Sequence, residues 1–232
     1  DIIDTWLKNK NEISQNKLLS KKINKGYKCL FFGPPGTGKT LSATLLGKKN
    51  NLDVYRVDLS QVVSKYIGET EKNLGSIFDI AENKNWILFF DEAESLFSKR
   101  TAVSDAKDKF ANQETAYLLQ RVESYNGLII LATNLKPNID LAFSRRLQSV
   151  IHYAIPNSKQ RKILWRNALN GLAEISEKEI DKIAKSYEIS GGSIKNVIQF
   201  AWLKSKSKNI RVTLENIMIG IRRELSKDGK SF

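Results

Sequence analysis

From residue 27 onward the chain alternates short apolar runs with longer stretches whose apolar residues recur at helical spacing. The apolar runs are Tyr27–Phe32, Val54–Asp58, residues 86–91, Leu128–Thr133 and residues 150–154. Near-continuous hydrophobicity is what strands covered on both faces require. Helical stretches of suitable length separate most of them, which predicts an α/β fold: a parallel sheet with right-handed crossovers. After Pro156 the strand signal stops. "SKQRKILWRNALNG", "SEKEIDKIAKSYE", "GGSIKNVIQFAWLKSK" and "TLENIMIGIRREL" each carry the helical period, so four helices are expected there. Ser158 and Ser176 are candidate caps for the first two, and Gly171 a candidate end for the first. The expected organisation is an α/β domain over residues 1–156, opened by a lead-in helix, and a small all-helical domain over residues 157–232.

Composition narrows the class. With 232 residues, 41% hydrophobic and 27% charged, the chain is globular and long enough for one α/β domain and a small satellite. Its longest apolar runs, such as "WILFF" and "LIILA", are far too short to span a bilayer, and no charged leader with an apolar core opens it. The single Cys29 forms no internal disulfide and suits a reducing compartment, so a cytoplasmic location without a membrane partner is expected. The chain opens at Asp1 with its one methionine at position 218, which leads us to expect further sequence upstream. A formal charge of +13 allows attraction to nucleic acid or to an acidic partner. Its lysines are scattered and are not interleaved with aromatics, which favours a lysine-rich composition as the simpler cause.

Chemistry concentrates at three strand ends. The run Tyr27–Phe32 leads into Gly33, Pro34, Pro35, Gly36, Thr37, Gly38, Lys39 and Thr40, then into an apolar helix beginning near Leu41. This is G-x-x-x-x-G-K-[ST] in a strand–loop–helix context, where backbone N–H groups and a helix N-terminus cradle phosphates. Lys39 suits the β- and γ-phosphates, and the Thr40 hydroxyl suits Mg²⁺; a purely structural glycine turn is the alternative. "WILFFDEAESLF" delivers Asp91 and Glu92 to the end of a buried strand. Asp91 suits the metal and Glu92 suits activation of water as a general base, although two carboxylates there also serve as a helix cap. Asn134 follows the run Leu128–Thr133; it is suited to orient that water, or is an ordinary turn former.

Taken in order, "GPPGTGKT", "FFDEAESLF", "LATN" and "IDLAFSRRL" resemble the AAA+ ATPases over about residues 20–225. The resemblance is to stand-alone bacterial members related to the katanin and spastin type of protein remodeller, some of which accompany contractile injection systems. It implies an AAA+ core followed by a helical lid, with ATP and Mg²⁺ as cofactors and a homo-hexameric ring as the assembly. Arg145 and Arg146 match the family's arginine fingers, reaching the γ-phosphate held by a neighbouring subunit. Lys65, Tyr66 and Ile67, in "SKYIGETEKN", match its first pore loop and would grip a polypeptide substrate. Gly192 lies in "ISGGSIKNVIQ", similar to the segment that closes over the adenine; a helix start at Ser190 is the alternative reading of that stretch. The expected function is Mg²⁺-dependent ATP hydrolysis that remodels or threads a protein. A nucleic-acid motor, disfavoured, and a low-turnover ATP-gated scaffold are the alternatives.

Overall fold

The computed structural model describes residues 2–58, 69–93, 106–134, 145–207, 209–227 and 229. They fall into two units, Asp1–Gly33 with Lys39–His152, and Pro34–Gly38 with Tyr153–Phe232. In the first, the apolar runs form strands β1 (Tyr27–Phe32), β2 (Val54–Asp58), β3 (Ile87–Asp91), β4 (Leu128–Thr133) and β5 (Ser149–His152). All pair in parallel in the order β2-β3-β4-β1-β5. The three central strands are almost wholly buried, as continuous hydrophobicity demands. The edge strands differ: β2 exposes Tyr55, and β5 exposes Val150, alternating with half-buried positions.

Helices cover both faces. Leu30, Leu88, Phe90, Ile129 and Leu131 point to one side, where they meet Leu74, Phe78 and Ala81 of α4 (Glu69–Lys84) and Leu118 and Val122 of α5 (Ala106–Ser124). The period of two sends Cys29, Phe31, Ile87, Phe89 and Ile130 to the other side, also buried. Helix α3 (Lys39–Asn50) lies there: a Cβ on its Gly47 would fall 2.4 Å from Val54 Cγ2, so glycine sets how closely α3 approaches β2. The lead-in helix α1 (Ile2–Gln15) buries Ile3, Trp6 and Ile13, which is enough apolar surface to fix an otherwise polar helix. Asp4 anchors it to the end of α3 through Lys49 (3.0 Å) and Asn50 (3.1 Å). These contacts hold its carboxyl pKa down at about 2. A short turn of helix, α2 (Leu19–Lys22), precedes β1.

The second unit holds α6 (Ser158–Leu169), α7 (Glu177–Ser186), α8 (Gly191–Ser207) and α9 (Leu214–Lys227) around Trp165, Ile183, Val197, Ile217 and Ile221, all 3% exposed or less. Ser176 caps α7 through a reciprocal bond with Glu179. The cap of α6 is Asn157, paired with Gln160, and not Ser158, which is the helix's first residue. Gly171, at φ +74°, follows the end of α6. The compact unit begins at Tyr153 and takes in Pro34–Gly38, a grouping that no sequence pattern signals.

Candidate active site

A parallel sheet puts the C-terminal ends of its strands on one edge, where α/β folds bind ligands. β1 leaves the sheet at Gly33, whose N–H still bonds the Thr133 carbonyl at 3.2 Å. Gly33, Gly36 and Gly38 have φ of +145°, +72° and +103°, backbone that side-chain-bearing residues rarely adopt. The Thr37 hydroxyl donates to the Pro34 carbonyl at 2.8 Å and closes the turn. α3 then starts at Lys39; the first turn of a helix directs its N–H groups outward along the axis, which suits an anion there. Lys39 is buried, and its ammonium donates to the Gly33 carbonyl (2.6 Å) and to Asn134 Oδ1 (2.9 Å). Thr40 and Leu41 are exposed in the first turn.

The same edge carries the carboxylates. Asp91 ends β3 and Asn134 follows β4, the strand between β3 and β1. The Asp91 carboxylate accepts from Arg56 at 2.7 Å, a partner on neighbouring β2 that the sequence motifs do not signal. Glu92 is exposed and has φ +53°. Among the described residues the other non-glycine positions with positive φ, Asn51, Asn85 and Asn209, are of the type that tolerates it best. Glutamate does not, and strain of this kind collects at functional positions. Two bonds hold the kink: the Glu92 N–H to Asp91 Oδ1 at 3.1 Å, and the Ala93 N–H to the Ala132 carbonyl on β4 at 2.9 Å. The result is a carboxylate standing clear of the sheet beside Asp91. Oxygen donors from Asp91 and Thr40 suit Mg²⁺, a hard cation that arrives with phosphates and retains water.

Residues 29–155 match the model of the ATPase family associated with various cellular activities, AAA. The chain belongs to the AAA family. As a member of a family of ATPases it is an ATP-hydrolysing domain. It is 30% identical over 209 residues to the ATPase family gene 2 protein of Schizosaccharomyces pombe, covering 88% of this chain and 26% of that one. It is 32% identical over 171 residues to spastin of Xenopus laevis, covering 71% and 28%. Its fold superposes on the AAA domain of FIGL-1, solved with ADP, with a TM-score of 0.73, 23% identity, and coverage of 94% of this chain and 76% of that one. The chain spans from about a quarter to about half the length of the curated relatives it matches.

Other expected residues of this AAA domain lie elsewhere. Arg145 and Arg146 precede β5, and therefore sit at the N-terminal edge of the sheet; the Gln148 N–H bonds the Lys28 carbonyl there at 2.9 Å. Both are exposed, and Arg146 pairs with Glu123 at 2.7 Å. Four to five strand residues, roughly 15 Å, separate them from Gly33 along β1. Within the second unit, the Gly192 N–H donates to the Gly36 carbonyl at 2.8 Å. A Cβ on Gly192 would fall 2.8 Å from Gly36 Cα, so this approach needs glycine. Ser190, just before α8, meanwhile accepts from the Ser193 N–H at 3.2 Å, the helix start that the alternative reading of that segment expects. Lys65, Tyr66 and Ile67 lie outside the described residues.

Proposed function

We propose that this AAA domain is the Mg²⁺-dependent ATP-hydrolysing core of a ring-forming machine, a homo-hexamer, that remodels or threads a polypeptide. The observation that carries the reading is the hydrogen bond from Lys39 to Asn134, beside Asp91 and the strained Glu92 on the next strand. In this reading the N–H groups of residues 33–41 hold the phosphates, and Lys39 turns from the Gly33 carbonyl to the β- and γ-oxygens. Thr40 and Asp91 would hold Mg²⁺, which when bound neutralises charge on the phosphate oxygens. Asn134 orients the attacking water, and Glu92 accepts its proton. Gly192, which approaches Gly36 within the second unit, is assigned to the nucleotide by sequence resemblance. The separation of Arg145 and Arg146 from the chain's own Gly33 supports their acting on the nucleotide of a second copy.

Spastin and the proteasome regulatory subunit 6B homolog of Dictyostelium discoideum are among the relatives, and they favour a polypeptide over nucleic acid as substrate. Lys65, Tyr66 and Ile67 are assigned to the polypeptide by sequence resemblance. The deciding experiment is steady-state ATP turnover with Glu92→Gln. Removing a general base should lower kcat by about 10²–10⁴ while nucleotide binding persists. Unchanged turnover would overturn the assignment. Turnover stimulated by an unfolded polypeptide, and lost in Tyr66→Ala, supports threading; stimulation by single-stranded DNA alone would move the chain to the nucleic-acid class.

A further inference from the structure

At the N-terminal edge of the sheet, within the first unit, lies a cleft of about 550 Å³. Lys21, Lys22, Lys25 and Lys28 line it from α2, the turn after it and the start of β1, with Arg145 and Arg146 before β5; among the described residues Glu123 is its one acidic lining residue. Glu123 is already paired with Arg146. Lys28 is the unusual member. It is 6% exposed, and its ammonium donates to the Tyr125 carbonyl at 3.0 Å, its one side-chain partner among the described residues. Burial pushes its pKa down, opposed by the nearby Glu123. The backbone makes room for it: a Cβ on Gly26 would lie 2.6 Å from the Lys28 Nζ and 2.1 Å from the Tyr125 carbonyl oxygen. A buried cation held by one carbonyl, with its nearest carboxylate already paired elsewhere, is costly unless something completes it.

We infer that this cleft binds a compact polyphosphate group, with Lys28 on its floor and Lys21, Lys22, Lys25 and the arginine pair around it. Six cations against one carboxylate exceed what a single carboxylate ligand would neutralise. Guanidinium forks suit phosphate oxygens, and a recessed ammonium favours a small multiply charged group over the backbone of a duplex. Two sources offer that chemistry: free polyphosphate, or the triphosphate of a nucleotide carried by a second copy of the chain. Only the second source rests on the cross-subunit reading of the arginines.

The test is calorimetric binding of inorganic tripolyphosphate to the full chain carrying Lys39→Ala, which silences the phosphate loop. One saturable site is expected. Adding Lys28→Met, which keeps the stem and removes the ammonium, should weaken it about tenfold; Lys25→Glu, an exposed change, should do likewise. The thermal midpoint of Lys28→Met should not fall, because a desolvated charge is removed. Equal binding in all three proteins, or the absence of saturation, would overturn the inference. The source follows from ATP-dependent self-association of chains with Lys39 intact. If a second copy's triphosphate fills the cleft, Lys28→Met weakens association; if free polyphosphate is the ligand, association is the same in both. A Glu92→Gln result contrary to the proposed function would leave the tripolyphosphate result unaffected.

Discussion

Glu92 shows what a single residue reveals once its backbone is known. Its identity was legible as a carboxylate next to Asp91, but its φ of +53° was not. The left-handed conformation costs a side-chain-bearing residue about 1–2 kcal/mol, while glycine in its place loses about 0.5–1 kcal/mol in backbone entropy. Glu92→Gly is therefore expected to abolish turnover and leave the thermal midpoint unchanged or slightly raised. A clear fall in the midpoint would make Glu92 a structural residue. Lys39, Asp91 and Asn134 were likewise legible, because each follows or precedes an apolar run by a fixed step. Arg56 was not: its pairing with Asp91 depends on β2 and β3 lying side by side, which places Asp58 opposite Asp91.

Among elements, the strands were read closely because their hydrophobicity is continuous, and the largest displacement was at an edge. The run expected over residues 150–154 is β5 at Ser149–His152, where only alternate positions are half-buried and the apolar signal is weaker. The start of α6 differs by one residue. Asn157 and Ser158 are both cap formers, and the partner three positions on, Gln160, decides between them. Asn157→Ala should lower unfolding stability by about 1 kcal/mol, and Ser158→Ala should stay within about 0.5 kcal/mol. Equal losses in chemical denaturation would return the cap to Ser158.

For the whole molecule, the polarity of the sheet is the governing fact. Parallel strands put Lys39, Asp91, Glu92 and Asn134 on one edge, and Arg145 and Arg146 on the other. One chain then carries half of each of two composite sites, on the proposed reading. Mixing tests this directly. A Lys39→Ala chain and a chain with both arginines changed to alanine should each be nearly inactive alone, yet regain turnover when combined. A finger in trans is worth about 10³–10⁵ in rate, so even a minority of correctly paired interfaces would be visible. No recovery in assemblies shown to be mixed would place the arginines outside catalysis.

The sequence by itself determined the α/β class, four of the strands to within a residue, the helical character after Pro156 and the nucleotide motif, because each is written in neighbouring residues: a period, a glycine pattern, a charge after an apolar run. Tertiary structure alone decided the rest. Strand order joined Asp91 to Arg56 and, through the pairing of β1 with β4, Lys39 to Asn134, and the approach of two glycines joined Gly36 to Gly192. Lysines clustered over residues 21–28 met the distant arginine pair in a single basic cleft. Such pairings depend on distance in space between residues far apart in the chain, and no local pattern of hydrophobic or polar positions encodes that distance.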